Sequence, residues 1–206
     1  MRPLLVATGN AGKLRELTAL LPGVKLLSLK DVGGLDLHEP GEDYATNAME
    51  KALQASRATG HVTLADDSGL EVDALGNAPG WRSARYGGDH GDDAANRARL
   101  KAALAGVPDS LRQARFRCAV ALADVSGPLG GRVLLAFGTC LGRIAQAERG
   151  TNGFGYDPLL FVDGYGDATM AELDDAVKNR ISHRARAVAA MRPALEAYLG
   201  GRSSTL

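Results

Sequence analysis

Aromatic side chains are scarce in this 206-residue chain, at 5% with a single Trp, and there are only two cysteines, Cys118 and Cys140. Two cysteines cannot build a disulfide scaffold. Set inside apolar segments, they read as buried thiols in a reducing compartment, with a disulfide between neighbouring strands as the alternative. Net charge is also missing: Lys+Arg and Asp+Glu both total 24, so nothing suggests the basic surface that follows a nucleic-acid backbone or an anionic membrane. No apolar run is long enough to span a bilayer, and the opening "MRPLLVATGN" is too short in apolar residues for a signal peptide. The expectation is a cytoplasmic protein with neither nucleic acid nor membrane as partner. What is present is a 45% hydrophobic content over a length that suits one substantial core, hence a single domain at 1–199 and a free tail at 200–206.

Periodicity predicts the elements. "PLLVAT" reads as a buried strand, and "GKLRELTALL" places Leu14, Leu17, Leu20 and Leu21 at helical spacing. "VKLLSL" follows as a second strand, then "DYATNAMEKALQASRATG" as a helix stopped by Gly60, with Ala48, Ala52 and Ala55 on one face. "VTLAD" and "LEVDAL" read as two short strands on either side of "DSG". A helix is expected from Asp92 to Leu104, and two long antiparallel strands in "RFRCAVALADV" and "RVLLAFGTCLGRIA". "PLLFV", a polar connection and a helix from about Arg184 to Leu199 close the chain, with Pro193 inside the helix. The fold class is α/β with a mixed sheet.

Four clusters carry polar residues that a core does not need. "TGNAGK", Thr8 to Lys13, sits at a strand-to-helix turn. Gly9 and Gly12 let backbone N–H groups face outward, the helix start adds a positive dipole end and Lys13 a full charge, which together suit an anion. Its glycines are too close for a Walker A loop, and Leu14 stands where Ser/Thr would hold magnesium. An ordinary glycine turn is the other reading. Asp66 and Asp67 form a carboxylate pair that can hold Mg²⁺ and take a proton from water; a solvated turn would use the same residues. "GTNGFGYDP" shows Phe154 and Tyr156 among glycines, suited to stacking on a flat base or to a hairpin with core aromatics. In "KNRISHRAR", Ser182 reads as an N-cap, and His183 and Arg184 open a helix as donors for an anion or carbonyl, or as a solvated helix start.

Together these are the parts of a nucleoside phosphate hydrolase. From about Pro3 to Leu199 the chain resembles the inosine triphosphate pyrophosphatase family, the non-canonical purine NTP pyrophosphatases or XTP/dITP diphosphatases. The resemblance is carried by "TGNAGK", "NAMEKA", "LADDSGLEVDALGNAPGWRSARYGG", "RQARFRC", "GTNGFGYDP" and "ISHRARA" in family order. It implies an elongated mixed β-sheet with flanking helices, forming two lobes around a nucleotide cleft, and a homodimer. It also implies Mg²⁺-dependent hydrolysis of ITP, dITP and XTP to the monophosphate and pyrophosphate. By the same resemblance, Asp67 binds metal and activates water. Ser68, Lys51 and the loop of Thr8, Gly9, Asn10, Ala11, Gly12 and Lys13 contact the triphosphate. Phe154, Gly155, Tyr156 and Asp157 serve base and sugar, and Lys178, His183 and Arg184 lie near the purine. One departure stands out: Thr46 occupies the place of a carboxylate associated with the metal, so Glu42, Asp43 or Asp66 would compensate or metal would be held more weakly. That departure keeps two other readings open, a nucleotide sensor with weak turnover and a related pyrophosphatase of different base preference.

Overall fold

The structure is a computed structural model and describes residues 2–88 and 91–200. The tail expected at 200–206 lies, beyond Gly200, outside the described residues. Strand β1 (Leu4–Val6) leads into helix α1 (Ala11–Leu20) and strand β2 (Leu26–Ser28). Helix α2 (Tyr44–Thr59) then feeds the long strand β3 (Val62–Val72). Helix α3 (Asp93–Ala103), strands β4 (Gln113–Ala123), β5 (Val133–Ile144) and β6 (Leu160–Val162), and helices α4 (Asp175–Ile181) and α5 (His183–Leu199) complete the order. The strands form one six-stranded sheet in the order β2-β1-β3-β4-β5-β6. β1 runs parallel to both β2 and β3, with Leu5 opposite Leu27 and Thr63, whereas β5 and β6 are antiparallel. Parallel neighbours require crossovers, which α1 and α2 supply. The sheet is therefore mixed and the class α/β.

Local chemistry explains the helix limits. Asp43 caps α2 by accepting from Thr46 N at 2.8 Å, and Gly60 ends it at φ 69°, a left-handed conformation that costs glycine little. Asn10, Asp92 and Asp174 cap α1, α3 and α4 in the same way.

One expectation fails here. "VTLAD" and "LEVDAL" are not two strands: β3 passes through Asp66, Asp67, Ser68 and Gly69 without a break. The polar run does not turn, because its acids have buried partners. α4 was also missed, within what read as a polar connection, and Ser182 is its C-cap as well as the residue before α5.

The chain divides into two compact units. The first comprises Met1–Asp67, Ala119–Gly138 and Arg184–Leu206; its core sets Leu5, Leu29 and Leu53 among alanines, including Ala48, Ala52 and Ala55 of α2 and Ala65, Ala119, Ala121 and Ala123 of the strands. The second comprises Ser68–Cys118 and Thr139–His183, with Leu70, Leu100, Leu104, Phe116, Tyr156, Leu159 and Met170 in its core. Both cysteines are buried and are not joined in a disulfide. No helix among the described residues is long and apolar enough to cross a membrane.

Candidate active site

The first unit gathers an acid–lysine cluster just past the C-terminal end of β1, at the middle of β3. The Thr8–Lys13 loop follows β1. Asn10 Oδ1 accepts from Lys13 N at 3.0 Å and Thr8 Oγ1 from Asn10 N at 3.2 Å, which fixes the turn into α1. A Cβ placed on Gly9 would meet nothing within 4 Å, so the loop has an open side beside a helix start. From this loop Lys13 brings its Nζ to 3.3 Å from Asp66 Oδ2 and 4.0 Å from Asp67 Oδ1.

Asp66 and Asp67 are successive strand residues, so their side chains leave the sheet on opposite faces. Asp66, fully buried, accepts from Arg184 Nε and Nη2 at 3.0 and 2.8 Å. Arg184 is 1% exposed and also pairs with Glu16. The guanidinium expected near the purine is thus turned onto two acids of its own unit. Asp66 Oδ1, also buried, has no hydrogen-bond partner among the described residues.

Asp67 is 7% exposed and accepts from Asn47 Nδ2 at 3.1 Å through Oδ2. Its Oδ1 lies 3.8 Å from Lys51 Nζ, and that ammonium donates to Glu39 Oε1 at 2.6 Å and to the Asp66 carbonyl at 2.7 Å. Asn47 and Lys51 are one turn apart on α2 and so share a face. Sequence reasoning missed Asn47 and Glu39. The i, i+4 spacing with Lys51 was a signal for Asn47; Glu39 comes from an irregular segment and offered none.

The two neighbouring acids are driven apart electrostatically. Burial alone would raise Asp66, but Arg184, Lys13 and Lys51 overcome it and hold the carboxyl far below the usual range. For Asp67 burial prevails, aided by the Glu39 charge and only partly opposed by Lys13, Lys51 and Asn47, so its pKa is raised. Burial works against the Lys51 ammonium, yet Asp67, Asp66 and Glu39 outweigh it and its pKa rises. Adjacent carboxyls with opposite shifts are the pattern of one permanent anion beside one proton acceptor.

The Thr46 departure has a local explanation. Both Asp43 oxygens are taken by Thr46, Oδ1 by its N–H and Oδ2 by its hydroxyl at 2.7 Å. Thr46 is the N3 residue of α2, where a Glu would belong to a capping box. Asp43 is therefore a cap, and Glu42 is exposed.

The second unit holds the aromatic loop. Phe154 N donates to Asp157 Oδ2 at 2.9 Å, and the same oxygen accepts from Lys178 Nζ at 2.5 Å, a pair buried on both sides. Lys178 Nζ also lies 5.2 Å from the centre of the Phe154 ring. Gly153, at φ 81°, has no room for a side chain, because a Cβ there would fall 2.0 Å from Asp157 Oδ2. Tyr156 is buried in the core and donates through Oη to Ser83 O at 2.8 Å; burial raises its pKa. His183 stacks on Phe116 with centroids 4.8 Å apart. Ser68, half-buried, follows Asp67 in β3. Thr8–Lys13, Lys51, Asp67 and Arg184 belong to the first unit, and Ser68, Phe154–Asp157, Lys178 and His183 to the second.

Residues 4–194 match the model of the Ham1 family. The chain belongs to the Ham1 family. It is 48% identical over 188 residues to a dITP/XTP pyrophosphatase of Desulforamulus reducens, covering 90% of this chain and 91% of that one. It is 46% identical to the dITP/XTP pyrophosphatase of Geobacillus kaustophilus over the whole of both chains. Among solved structures, a HAM1 protein from Coxiella burnetii matches with TM-score 0.84 and 38% identity, covering 95% of this chain and 98% of that one. The span matched to the Ham1 family includes both clusters, along with Glu39 and Asn47.

Proposed function

We propose that this chain hydrolyses non-canonical purine nucleoside triphosphates, dITP and XTP as its Ham1 relatives' names state and ITP with them, to the monophosphate and pyrophosphate. The observation that carries the reading is Asp67: a buried carboxyl with a raised pKa, held by Asn47 and set within reach of Lys13 and Lys51. Such a group can accept a proton from an attacking water, while the two ammonium groups and the amides of the Thr8–Lys13 loop balance phosphate charge as the anhydride breaks. Lys13 and the loop serve the triphosphate, and Phe154 offers a face to the base. Measuring pyrophosphate release from a panel of nucleoside triphosphates, with and without Mg²⁺, tests the reading; equal turnover of ATP and ITP, or none of either, would refute it.

Among the described residues no three His, Cys, Asp or Glu side chains gather into a metal site. Mg²⁺ does not require one, since it is commonly held by one or two carboxylates with water and substrate phosphates. Asp67 supplies a hard carboxylate oxygen that fits this demand, and Glu39, on the far side of the Lys51 ammonium, adds negative charge beside it. When bound, the ion would neutralise charge on the phosphates. Glu39→Gln is expected to raise the Mg²⁺ concentration for half-maximal activity, whereas Thr46→Glu and Asp43→Asn leave it unchanged, since both residues serve the cap. Mg²⁺ titrations of the parent and the three variants check this; a shift in Thr46→Glu alone would return the metal to the helix start.

Phe154→Ala is expected to raise KM for ITP by about one to two orders of magnitude, as base stacking on an aromatic is typically worth roughly 1–3 kcal/mol. Inhibition by tripolyphosphate should hardly change. Equal losses for both ligands would assign the ring to packing.

A homodimer is part of this proposal. On β5 the residues Leu135, Phe137 and Leu141 alternate with buried ones and are exposed, Phe137 by 56% and Leu141 by 51%. An apolar stripe of this kind suits a second copy. A cytoplasmic setting, which two cysteines buried in apolar strands suit, completes the proposal.

A further inference from the structure

Helix α3 lies outside the four polar motifs, yet one of its faces is fastened to the aromatic loop. Asp93, Arg97 and Lys101 follow one another at four-residue spacing, hence on one side of the helix. Asp93 Oδ2 accepts from Gly155 N at 2.7 Å, and Arg97 Nη1 donates to Gly155 O at 2.9 Å. Arg97 is itself oriented by Glu148, which takes its Nε at 2.9 Å and Lys101 Nζ at 2.7 Å.

Gly155 N belongs to the peptide plane that leaves Phe154, and Gly155 O to the plane after it. Holding both planes traps the dihedral angles of Gly155, a residue at φ 63° that would otherwise be the freest joint of the loop. On the other side of Phe154, its own N–H is held by Asp157. The ring is thus carried on a backbone fixed at both ends. Two charge-assisted bonds do this from a helix, where rigid positioning is easiest. Ordering the loop before ligand arrives removes an entropic cost that binding would otherwise bear.

We infer that Asp93 and Arg97 are positioning residues for base recognition: they clasp the two peptide groups of Gly155 and so set the plane of the Phe154 ring. The inference rests on the proposed role of Phe154 as the base platform. Asp93→Ala and Arg97→Ala are each expected to raise KM for ITP about tenfold, the scale of one hydrogen bond to a charged group, with kcat within about twofold and tripolyphosphate inhibition unchanged. Asp93→Asn, which keeps an acceptor for Gly155 N, should recover most of the loss. Combined with Phe154→Ala, Asp93→Ala should add little, since it acts through the ring.

Four results would overturn the clasp. If Phe154→Ala raises KM while Asp93→Ala and Arg97→Ala do not, the clasp fails and the base platform stands. If the helix variants weaken tripolyphosphate binding or kcat as much as ITP binding, their role is general support of the fold. A full tenfold effect of Asp93→Ala persisting without the Phe154 ring would show action by another route. Should Phe154→Ala leave KM unaltered, the platform itself is refuted and the clasp with it.

Discussion

Asp67→Asn is expected to lower kcat by several orders of magnitude while the protein melts at or above the parental temperature. The amide accepts no proton from water and brings no charge to a metal, so both proposed roles vanish at once. Stability follows the opposite course. Burial and Glu39 raise the folded-state pKa of Asp67 above its unfolded value, so the folded chain binds the proton more tightly. As pH rises through the interval from the ordinary aspartate value to the raised one, the parent loses stability relative to the amide variant. The same shift places the acid limb of the parent's kcat/KM profile above an ordinary aspartate's pKa. Retention of more than about a tenth of parental kcat, only ~1.4 kcal/mol in barrier, would remove Asp67 from the role of base.

Asp66 gives the converse outcome, and the contrast between neighbours is the diagnostic. Asp66→Asn and Arg184→Ala should both lower the melting temperature, by about 10 °C for a loss of about 3–5 kcal/mol, because each removes one partner of a buried ion pair. Arg184→Ala should be the worse, since it deserts Glu16 as well as Asp66. The sign with pH is reversed too. Asp66 has a folded-state pKa far below its unfolded value, so its contribution is complete above the ordinary aspartate range and is lost as pH falls toward the depressed value. Thermal melts of parent and Asp66→Asn should therefore converge in strong acid. Melting curves that differ by less than about 2 °C at neutral pH would show that the pair only orders the site.

Much of this architecture could be read from residue order, for identifiable reasons. Asp43 and Gly60 announce the limits of α2, and Asp92 that of α3, because caps are local chemistry. The Asp-Asp-Ser-Gly run misled because turn residues carry their usual meaning only in water. Here Arg184, 118 positions away in the chain, makes burial of Asp66 tolerable and lets the strand continue. Glu39 and Asn47 escaped for a related reason: their meaning lies in Lys51 and Asp67, partners that only the fold brings near. α4 was overlooked because its seven residues, "DAVKNRI", include few apolar ones and give no legible stripe.

The seam of alanines under α2 acts as a gauge for chemistry. Ala48, Ala52 and Ala55 meet Ala65, Ala119, Ala121 and Ala123 in one core cluster, and these short side chains let the helix lie close to the strands. That closeness brings Lys51 to the Asp66 carbonyl and Asn47 to Asp67. A larger residue in the seam, even one the core could absorb with modest strain, would lift the helix and lengthen every reach from it. The smallness of these residues thus sets how closely the helix carries Asn47 and Lys51 to Asp67, a reach measured from the core rather than from the reacting groups.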